Sequence, residues 1–194
     1  MDTINKPGWI EVVTGPMFAG KSEELIRRIK RLEYAKKEVL VFRPRIDNRY
    51  SLDEVVSHSN SRRKSIVIDS SKDILSHIKE STYAVVIDEI QFLDSELIPL
   101  CEHLANIGIR VIVGGLDSDF RGEPFAVTAG MMARAEFVTK LTAICVRCGS
   151  PATKTQRIVN GRPAHFLDPI VVVGAAEAYE PRCRHCHEVL GKAK

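Results

Sequence analysis

The sequence predicts an α/β fold in which a mostly parallel sheet is flanked by helices, with a small second domain at the C-terminal end. Three observations predict it. A short apolar strand leads through a glycine-bearing loop into a helix near residue 21. Further buried strands then alternate with helical segments as far as about residue 141. Two C-x-x-C pairs follow, so we place an α/β domain at residues 1–143 and a zinc-ribbon-like domain at residues 144–194.

The first unit of the chain is a strand, a loop and a helix. Residues 9–14 form a β-branched run typical of a buried strand, and apolar residues recur at helical spacing from Ser22 to about Lys37. The loop between them fits G-x-x-x-x-G-K-[ST], the phosphate-binding pattern of P-loop (RecA-like) nucleotide enzymes. Its residues are Gly15, Pro16, Met17, Phe18, Ala19, Gly20, Lys21 and Ser22. A chance match is expected in roughly one chain of this size in a hundred, and the flanking strand and helix argue against it.

The chemistry of this loop requires these residue types. Glycines let backbone N–H groups turn toward an anion, and the helix N-terminus adds unpaired donors. Lys21 would bring a full positive charge to the β- and γ-phosphates of ATP, and the Ser22 hydroxyl would bind Mg²⁺.

A long polar stretch follows the second predicted strand, residues 38–42, and reaches about residue 64. Loops of this length inside a compact domain are usually functional or disordered. The charged residues of this stretch are either ordinary solvated loop residues or functional ones. If the loop is functional, we expect Asp47 and Arg49 to reach over the phosphates.

The next elements are a short strand at residues 65–69 and a serine-capped helix with Ile74, Leu75 and Ile78 on one face. The strongest buried strand, residues 83–87, then ends in Asp88-Glu89. A strand-end acid alone is usually solvated, but after a P-loop it indicates the Asp that holds Mg²⁺. Because neighbouring residues of a strand face opposite ways, Glu89 is expected to address a substrate while Asp88 addresses the metal.

Two helices and one strand complete the predicted α/β domain. Residues 95–107 form a helix with Cys101 as a buried thiol, and a strand at residues 109–113 leads into Gly114-Gly115. Glycines at this point suit close approach of the backbone to a ligand. The loop that follows carries Phe120 and Phe125, which either wall a pocket or pack a turn, and residues 125–141 are predicted to be mostly helical.

The cysteines of the C-terminal part form two pairs separated by residues 149–182. Four thiolates in two knuckles suit tetrahedral Zn²⁺ in a structural site, with His185 and His187 as rival ligands at the second knuckle. A redox C-x-x-C is the competing interpretation, and the presence of two pairs favours a metal. The expected ligands are Cys145, Cys148, Cys183 and Cys186. Between the pairs, residues 153–158 alternate like a strand, residues 160–163 indicate a turn, and residues 169–181 form either a strand and turn or a backbone clamp over a small ligand.

Composition and charge argue against some other classes of protein. The chain has 194 residues and a net charge of +3, which is too small to argue for nucleic acid. No apolar stretch approaches the length of a membrane span, and residues 1–6 lack a signal-peptide core. An intracellular, reducing location is therefore expected, in which the cysteines are ligands or buried thiols.

Together these motifs resemble the type II, zinc-containing thymidine kinases over nearly the whole chain. The resemblance rests on the P-loop, on residues 47–51, 87–92, 116–117, 120, 124–125, 141–143, 173–174 and 179, and on the four cysteines. It implies transfer of the ATP γ-phosphate to the 5′-hydroxyl of thymidine or deoxyuridine, a homotetramer in the cytoplasm, and feedback inhibition by dTTP. The family often has glycine where this chain has Ile90.

The resemblance also implies individual roles. Glu89 would be the general base, and Lys21, Ser22 and Asp88 would serve the phosphates and Mg²⁺, with Arg49, Arg157 and Gln91 adding to that group. The nucleoside pocket would be formed by Met17, Leu116, Phe120, Phe125, Thr155, Arg157 and Tyr179, with backbone groups of Ile170, Val171, Val172, Val173 and Gly174 on the thymine edge.

Two other functions are compatible with parts of this pattern. A nucleic-acid-dependent RecA-like ATPase with a zinc ribbon would use Glu89 to orient water, but the modest charge and the lack of a basic strand with aromatic residues argue against it. A non-catalytic nucleotide sensor is disfavoured by the intact set of Lys21, Asp88 and Glu89.

Overall fold

The computed structural model describes residues 8–45, 54–56, 62–170 and 178–192. In chain order the strands are β1 (Trp9–Gly15), β2 (Glu38–Pro44), β3 (Glu54–Val56), β4 (Arg62–Lys64), β5 (Ile66–Ile68), β6 (Thr82–Ile87), β7 (Arg110–Leu116), β8 (Phe137–Lys140), β9 (Ala143–Ile144), β10 (Pro151–Ala152), β11 (Lys154–Val159), β12 (Arg162–Pro163) and β13 (Ala178–Arg182). The α-helices are α1 (Lys21–Tyr34), α2 (Leu97–Asn106) and α3 (Ala126–Arg134), and 3₁₀-helices span Ser71–His77 and Ile90–Phe92.

Six strands form one sheet in the order β5-β2-β6-β7-β1-β8. Every pair of neighbours in it is parallel, which confirms the predicted α/β class. Because all six strands run the same way, their carboxyl ends meet at one edge. The loop after β1 and the residues after β6 and β7 therefore lie at that edge.

Both faces of the sheet are covered, as expected for parallel strands. Val85 and Ile87 belong to a core with α2, α3 and the longer 3₁₀-helix. Val86, one residue along, belongs to a second core beneath α1. The four apolar residues predicted to form the buried face of α1 are all buried, namely Leu25, Ile26, Ile29 and Leu32.

A buried carboxylate ties the opposite, amino-terminal edge of the sheet together. Glu11 is 6% exposed and accepts hydrogen bonds from Trp9 Nε1 at 2.6 Å, Arg28 Nη1 at 2.5 Å and Arg110 Nε at 2.5 Å. Burial by itself would raise the pKa of this carboxyl, but the hydrogen bonds from Arg110 and Trp9 lower the pKa below its ordinary value. Glu11 is therefore ionised in the folded protein at neutral pH.

The segment after β5 is a 3₁₀-helix, not an α-helix, and this changes its buried face. With three residues per turn, positions i and i+3 share a face, so Ser71 and Ile74 are buried. Leu75, which the helical spacing placed inside, is 49% exposed. The Asp73 carboxylate accepts the Ser70 backbone N–H at 2.9 Å and caps the first turn.

The helix predicted over residues 125–141 is also wrong in its second half. It ends at Arg134, and Phe137–Lys140 forms β8, which pairs with β1 in parallel. The β-branched residues Val138 and Thr139 favour a strand, and β1 offers them an open edge on the side away from β7.

The C-terminal part contains a hairpin of β9 and β10 and a three-stranded antiparallel sheet in the order β12-β11-β13. The strand predicted at residues 153–158 is confirmed as β11, and the predicted turn contains Asn160 and Gly161 with φ of 48° and 75°. The described part of the insert between the cysteine pairs thus contains β10, β11, β12 and β13. Among the described residues, none of the helices has the length and hydrophobicity that crossing a bilayer requires.

Candidate active site

The phosphate-binding loop leaves the end of β1 and enters α1. Gly15 has a φ of +146°, and a Cβ added to it would lie 2.4 Å from the Leu141 carbonyl oxygen. Gly20 adopts a left-handed conformation, with φ 83°, directly before α1 begins at Lys21. The Lys21 ammonium donates to the Pro16 carbonyl oxygen at 2.8 Å across the loop. The side chain that would meet phosphate is thus held over the anion-binding turn.

The acidic pair follows β6 at the same edge of the sheet. Asp88 is 5% exposed, and its Oδ2 lies 3.4 Å from the Ser22 hydroxyl. Octahedral ligands 2.0–2.1 Å from Mg²⁺ are about 3 Å apart, and oxygen is the donor that Mg²⁺ prefers. The 3.4 Å separation of the Ser22 and Asp88 oxygens is somewhat wider than this, and both are oxygen donors of the kind that Mg²⁺ binds.

Glu89 leaves the strand in a left-handed conformation, with φ 53°. Its backbone N–H donates to Asp88 Oδ1 at 2.8 Å. Asp88 and Glu89 both lie past the end of β6, so the strand alternation expected from the sequence does not apply to them, and their carboxylates contact different partners. A residue other than glycine with positive φ is uncommon, and such conformations concentrate at functional sites.

The side chain of Gln91 lies between Glu89 and the end of β7. Its Oε1 accepts the Leu116 backbone N–H at 3.0 Å, which fixes the amide so that Nε2 donates to the Glu89 carboxylate. A Cβ on Gly115 would lie 2.7 Å from Gln91 Oε1, so this glycine is required for the close approach. The Gln91 side chain thus contacts the Glu89 carboxylate, whereas the resemblance grouped Gln91 with the phosphate ligands.

The aromatic loop after β7 is an ordered turn. The Asp119 carboxylate, 5% exposed, accepts the backbone N–H groups of Arg121 at 2.8 Å and Glu123 at 3.0 Å. Phe120 is buried at 3% exposure, with the Arg157 guanidinium 5.2 Å from its ring centroid. Phe125 is half-buried at the start of α3.

The C-terminal strands meet the phosphate-binding loop directly. The Met17 backbone N–H donates to Thr155 Oγ1 at 3.1 Å, across 138 positions of sequence. Ala19 of the same loop packs against the cluster that contains Cys145 and Cys183. Residues predicted to form one site from opposite ends of the chain are thus brought together.

Two further predicted pocket residues sit side by side on β11 and β13. Arg157 is paired across the strands with Tyr179, and the Arg157 guanidinium donates to the Pro169 carbonyl oxygen. Both ends of the proposed clamp are therefore held near β11. Ile170, the last described residue at the start of the clamp, is 40% exposed. The other predicted positions, Arg49, Val171, Val172, Val173 and Gly174, lie outside the described residues.

The four cysteines form one cluster. The Sγ atoms of Cys145, Cys148, Cys183 and Cys186 all lie within 4.8 Å of one another, and those of Cys148 and Cys183 are 3.6 Å apart. This separation is far beyond a disulfide bond and close to the roughly 3.8 Å edge of a tetrahedron with 2.3 Å Zn–S bonds. The donor set fits zinc. His187, a rival ligand by sequence, instead directs Nε2 to the Phe120 carbonyl oxygen at 2.8 Å.

The pKa values of Cys148 and Cys101 shift in opposite directions. The Ser150 hydroxyl and backbone N–H lower the pKa of the Cys148 thiol below its ordinary value, which favours the thiolate that a metal binds. Burial raises the pKa of Cys101 in α2 to about 12, so that residue is an inert core thiol, as the sequence suggested.

Several contacts around this site have no signal in the sequence. The Arg121 guanidinium lies 5.7 Å from the Phe120 ring centroid and 5.3 Å from that of Phe166. Lys140 at the end of β8 pairs with Asp117 at 2.9 Å. Asp117 follows β7 and Lys140 ends β8, the two strands that flank β1, and the sequence assigned Lys140 to a helix.

Two solved structures of the genome packaging NTPase B204 from Sulfolobus turreted icosahedral virus 2 are distantly similar to this chain. The complex with ATP-gammaS aligns with a TM-score of 0.46 and 16% identity, and the complex with sulfate with 0.47 and 17%. Each alignment covers 73% of this chain and 76% of the other. A likeness this distant does not bear on the activity of the site.

The sequence itself is matched by the family model described as "Thymidine kinase" over residues 8–187. The matched residues include the phosphate-binding loop, the acidic pair, the aromatic loop and all four cysteines. With most of its length matched, the chain belongs to the thymidine kinase family.

Proposed function

We propose that this protein transfers the γ-phosphate of ATP to the 5′-hydroxyl of thymidine, or of deoxyuridine, to give the nucleoside 5′-monophosphate. The observation that carries the proposal is the contact between Met17 of the phosphate-binding loop and Thr155 of β11. It supports a single site with an ATP-binding turn on one side and a nucleoside pocket on the other. Membership of the thymidine kinase family supports the same reaction.

The catalytic roles follow from where charge and oxygen atoms lie. Lys21 and the amides of its loop bind the β- and γ-phosphates, and the Ser22 hydroxyl and Asp88 carboxylate hold Mg²⁺. When bound, that ion neutralises charge on the β- and γ-phosphate oxygens. Glu89 accepts the proton of the 5′-hydroxyl as general base, and Gln91 holds the carboxylate in place for that task. Phosphoryl transfer asks mainly for this kind of positioning and charge neutralisation.

Nucleoside selectivity follows from an apolar pocket. Phe120, Phe125, Leu116 and Met17 would pack around the base, where a thymine methyl group is favourable and the amino group of cytosine would lack a partner. Backbone groups of residues 170–174 would read the thymine edge. Closure of that segment over the nucleoside would exclude water, which otherwise competes for the phosphoryl group.

The remaining features are proposed with it. One structural Zn²⁺ bound by the four cysteines stabilises the small C-terminal sheets, and its filled coordination leaves it no catalytic role. We also propose a cytoplasmic homotetramer that is inhibited by dTTP. Native mass measurement and inhibition kinetics at varied thymidine concentration test the last two points.

The test is a pair of incubations. Purified protein with Mg-ATP and thymidine should yield dTMP and ADP in equal amounts, and ATP with single-stranded DNA should yield no additional ADP. DNA-stimulated hydrolysis without dTMP would reject the kinase in favour of a nucleic-acid-dependent ATPase. Absence of turnover in both would favour a nucleotide sensor. Comparison of kcat/KM for thymidine, deoxyuridine and deoxycytidine then defines the substrate range.

A further inference from the structure

The chain continues past the last cysteine of the cluster, and this continuation runs along the aromatic loop. We use "tail segment" for residues 187–192 and "Phe120 loop" for residues 117–125. The tail segment begins one residue after Cys186, which belongs to the cysteine cluster. The Phe120 loop carries Phe120 and Phe125, two walls of the proposed nucleoside pocket.

Three hydrogen bonds join the two segments. His187 Nε2–H donates to the Phe120 carbonyl oxygen at 2.8 Å. At the other end of the tail segment, Lys192 Nζ donates to the Arg121 carbonyl oxygen at 2.6 Å and to Glu123 Oε1 at 2.7 Å. Residues that follow the cysteine cluster therefore bond the Phe120 loop at Phe120 and again at Arg121 and Glu123.

The tail segment is itself fixed to β11. Gln156, 2% exposed, donates through Nε2 to the Glu188 carbonyl oxygen at 2.8 Å, and its Oε1 accepts the Glu188 backbone N–H at 2.8 Å. Leu190 exchanges backbone hydrogen bonds with Ala164 and Phe166 at 3.0 and 2.7 Å. A support that is anchored at several points can restrict the loop it contacts, whereas a free tail could not.

Cation–π contacts also join the tail segment to the Phe120 loop through Phe166. The Arg121 guanidinium lies against the rings of Phe120 and Phe166, and Lys192 Nζ is 5.7 Å from the Phe166 ring centroid. Phe166 lies on the stretch that leads to Pro169, where the proposed clamp begins. One connected set of contacts thus joins the tail segment, the Phe120 loop and the start of the clamp.

We propose that His187 and Lys192 are positioning residues that hold the Phe120 loop against the nucleoside, so that the tail segment sets nucleoside affinity. The inference rests on the proposed function. It assigns the tail segment to the nucleoside side of the site, because its hydrogen bonds to the Phe120 loop reach Phe120, Arg121 and Glu123. Loss of one bond should therefore raise the KM for thymidine and leave the KM for ATP unchanged.

The experiment compares His187→Leu, His187→Gln and Lys192→Met with the wild-type protein. Leucine removes the donor to Phe120, whereas the glutamine amide reaches about as far as Nε2 and retains a donor. Arg147→Met is the matched control, because it removes the 2.7 Å pair between Arg147 and Glu188 of the tail segment without touching the Phe120 loop. Zinc content of each variant shows whether the cysteine cluster is intact.

Loss of a single hydrogen bond should raise the KM for thymidine about tenfold in His187→Leu, with a smaller rise in Lys192→Met. His187→Gln and Arg147→Met should keep the wild-type value. Amide hydrogen exchange in residues 117–125 should become faster in His187→Leu and Lys192→Met and stay unchanged in the control.

The exchange measurement does not depend on the substrate, so it separates the two proposals. Wild-type protein that makes no dTMP refutes the proposed function, while exchange in residues 117–125 still decides whether the tail segment restrains the loop. Unchanged exchange and unchanged thymidine KM in both test variants overturn the inference, as does an equal rise in the KM for ATP. If His187→Leu does not fold or loses zinc, Lys192→Met, which is further from the cysteines, gives the decision.

Discussion

Replacing Thr155 with valine removes one hydroxyl from the place where β11 meets the phosphate-binding loop. Thr155 is 3% exposed, and its Oγ1 accepts the Met17 backbone N–H at 3.1 Å. Valine has nearly the same shape, so the substitution creates no cavity. The Met17 N–H instead loses its acceptor.

The magnitude follows from that loss. A fully buried donor left without a partner costs about 1–3 kcal/mol. Met17 is half-buried, so the lower part of that range applies, and about 1.4 kcal/mol corresponds to a factor of ten. If the bond holds the two halves of the site in register, kcat/KM for thymidine should fall about tenfold in Thr155→Val. Thr155→Ser keeps the hydroxyl and removes only a methyl group, so it should retain activity close to the wild-type value.

The assay is kcat/KM for thymidine at saturating ATP, with urea unfolding of each variant to separate a general loss of stability from a local effect. The serine variant is the control for packing. Wild-type kcat/KM in Thr155→Val would mean that the hydrogen bond does not couple β11 to the loop, and the reasoning that joins the two halves of the site would be refuted.

Four further outcomes are expected. Glu89→Gln should lower kcat by roughly 10²–10⁴-fold while calorimetry finds ATP binding nearly intact; wild-type turnover would remove Glu89 as the base. Gln91→Met removes a donor to the Glu89 carboxylate and an acceptor of the Leu116 N–H. We therefore expect kcat to fall about tenfold. An unchanged kcat would show that the Glu89 carboxylate does not need the hydrogen bond from Gln91. Cys183→Ser should reduce bound zinc from about one per chain to nearly none by atomic absorption, and retained zinc would contradict the ligand assignment. Glu11→Gln should lower the free energy of unfolding by about 3 kcal/mol at pH 7. Because the pKa of Glu11 is lowered from 4.5 in the folded protein, this difference should be complete above pH 4.5 and shrink as the pH falls through the folded-state pKa; a difference that grows toward acid pH would contradict the assignment.

The phosphate-binding loop and the two C-x-x-C knuckles were predictable because each is a local motif. A G-x-x-x-x-G-K-S stretch between a strand and a helix can form its turn from residues 15–22 alone, with Gly15 and Gly20 in the conformations that glycine favours. The strand before Asp88 is a continuous apolar run, which only burial on both faces of a parallel sheet accommodates.

Segments without a strong local preference were decided by packing. Residues 137–140 form a strand because β1 has an open edge for them. The segment after β5 became a 3₁₀-helix, which exchanged Leu75 for Ser71 on its buried face. Glu89 lies past the end of β6 in a left-handed conformation, so the strand alternation expected from the sequence does not extend to it.

The sequence by itself determined the types of chemistry present: an anion-binding turn, a carboxylate pair and four thiolates at knuckle spacing. The tertiary structure decided which of these meet, because contacts such as that of Met17 with Thr155, or of His187 with Phe120, join residues far apart in the chain. Such contacts depend on how the sheets and loops pack against one another in the tertiary structure. No periodicity or motif along the chain encodes that packing in a form that can be read locally.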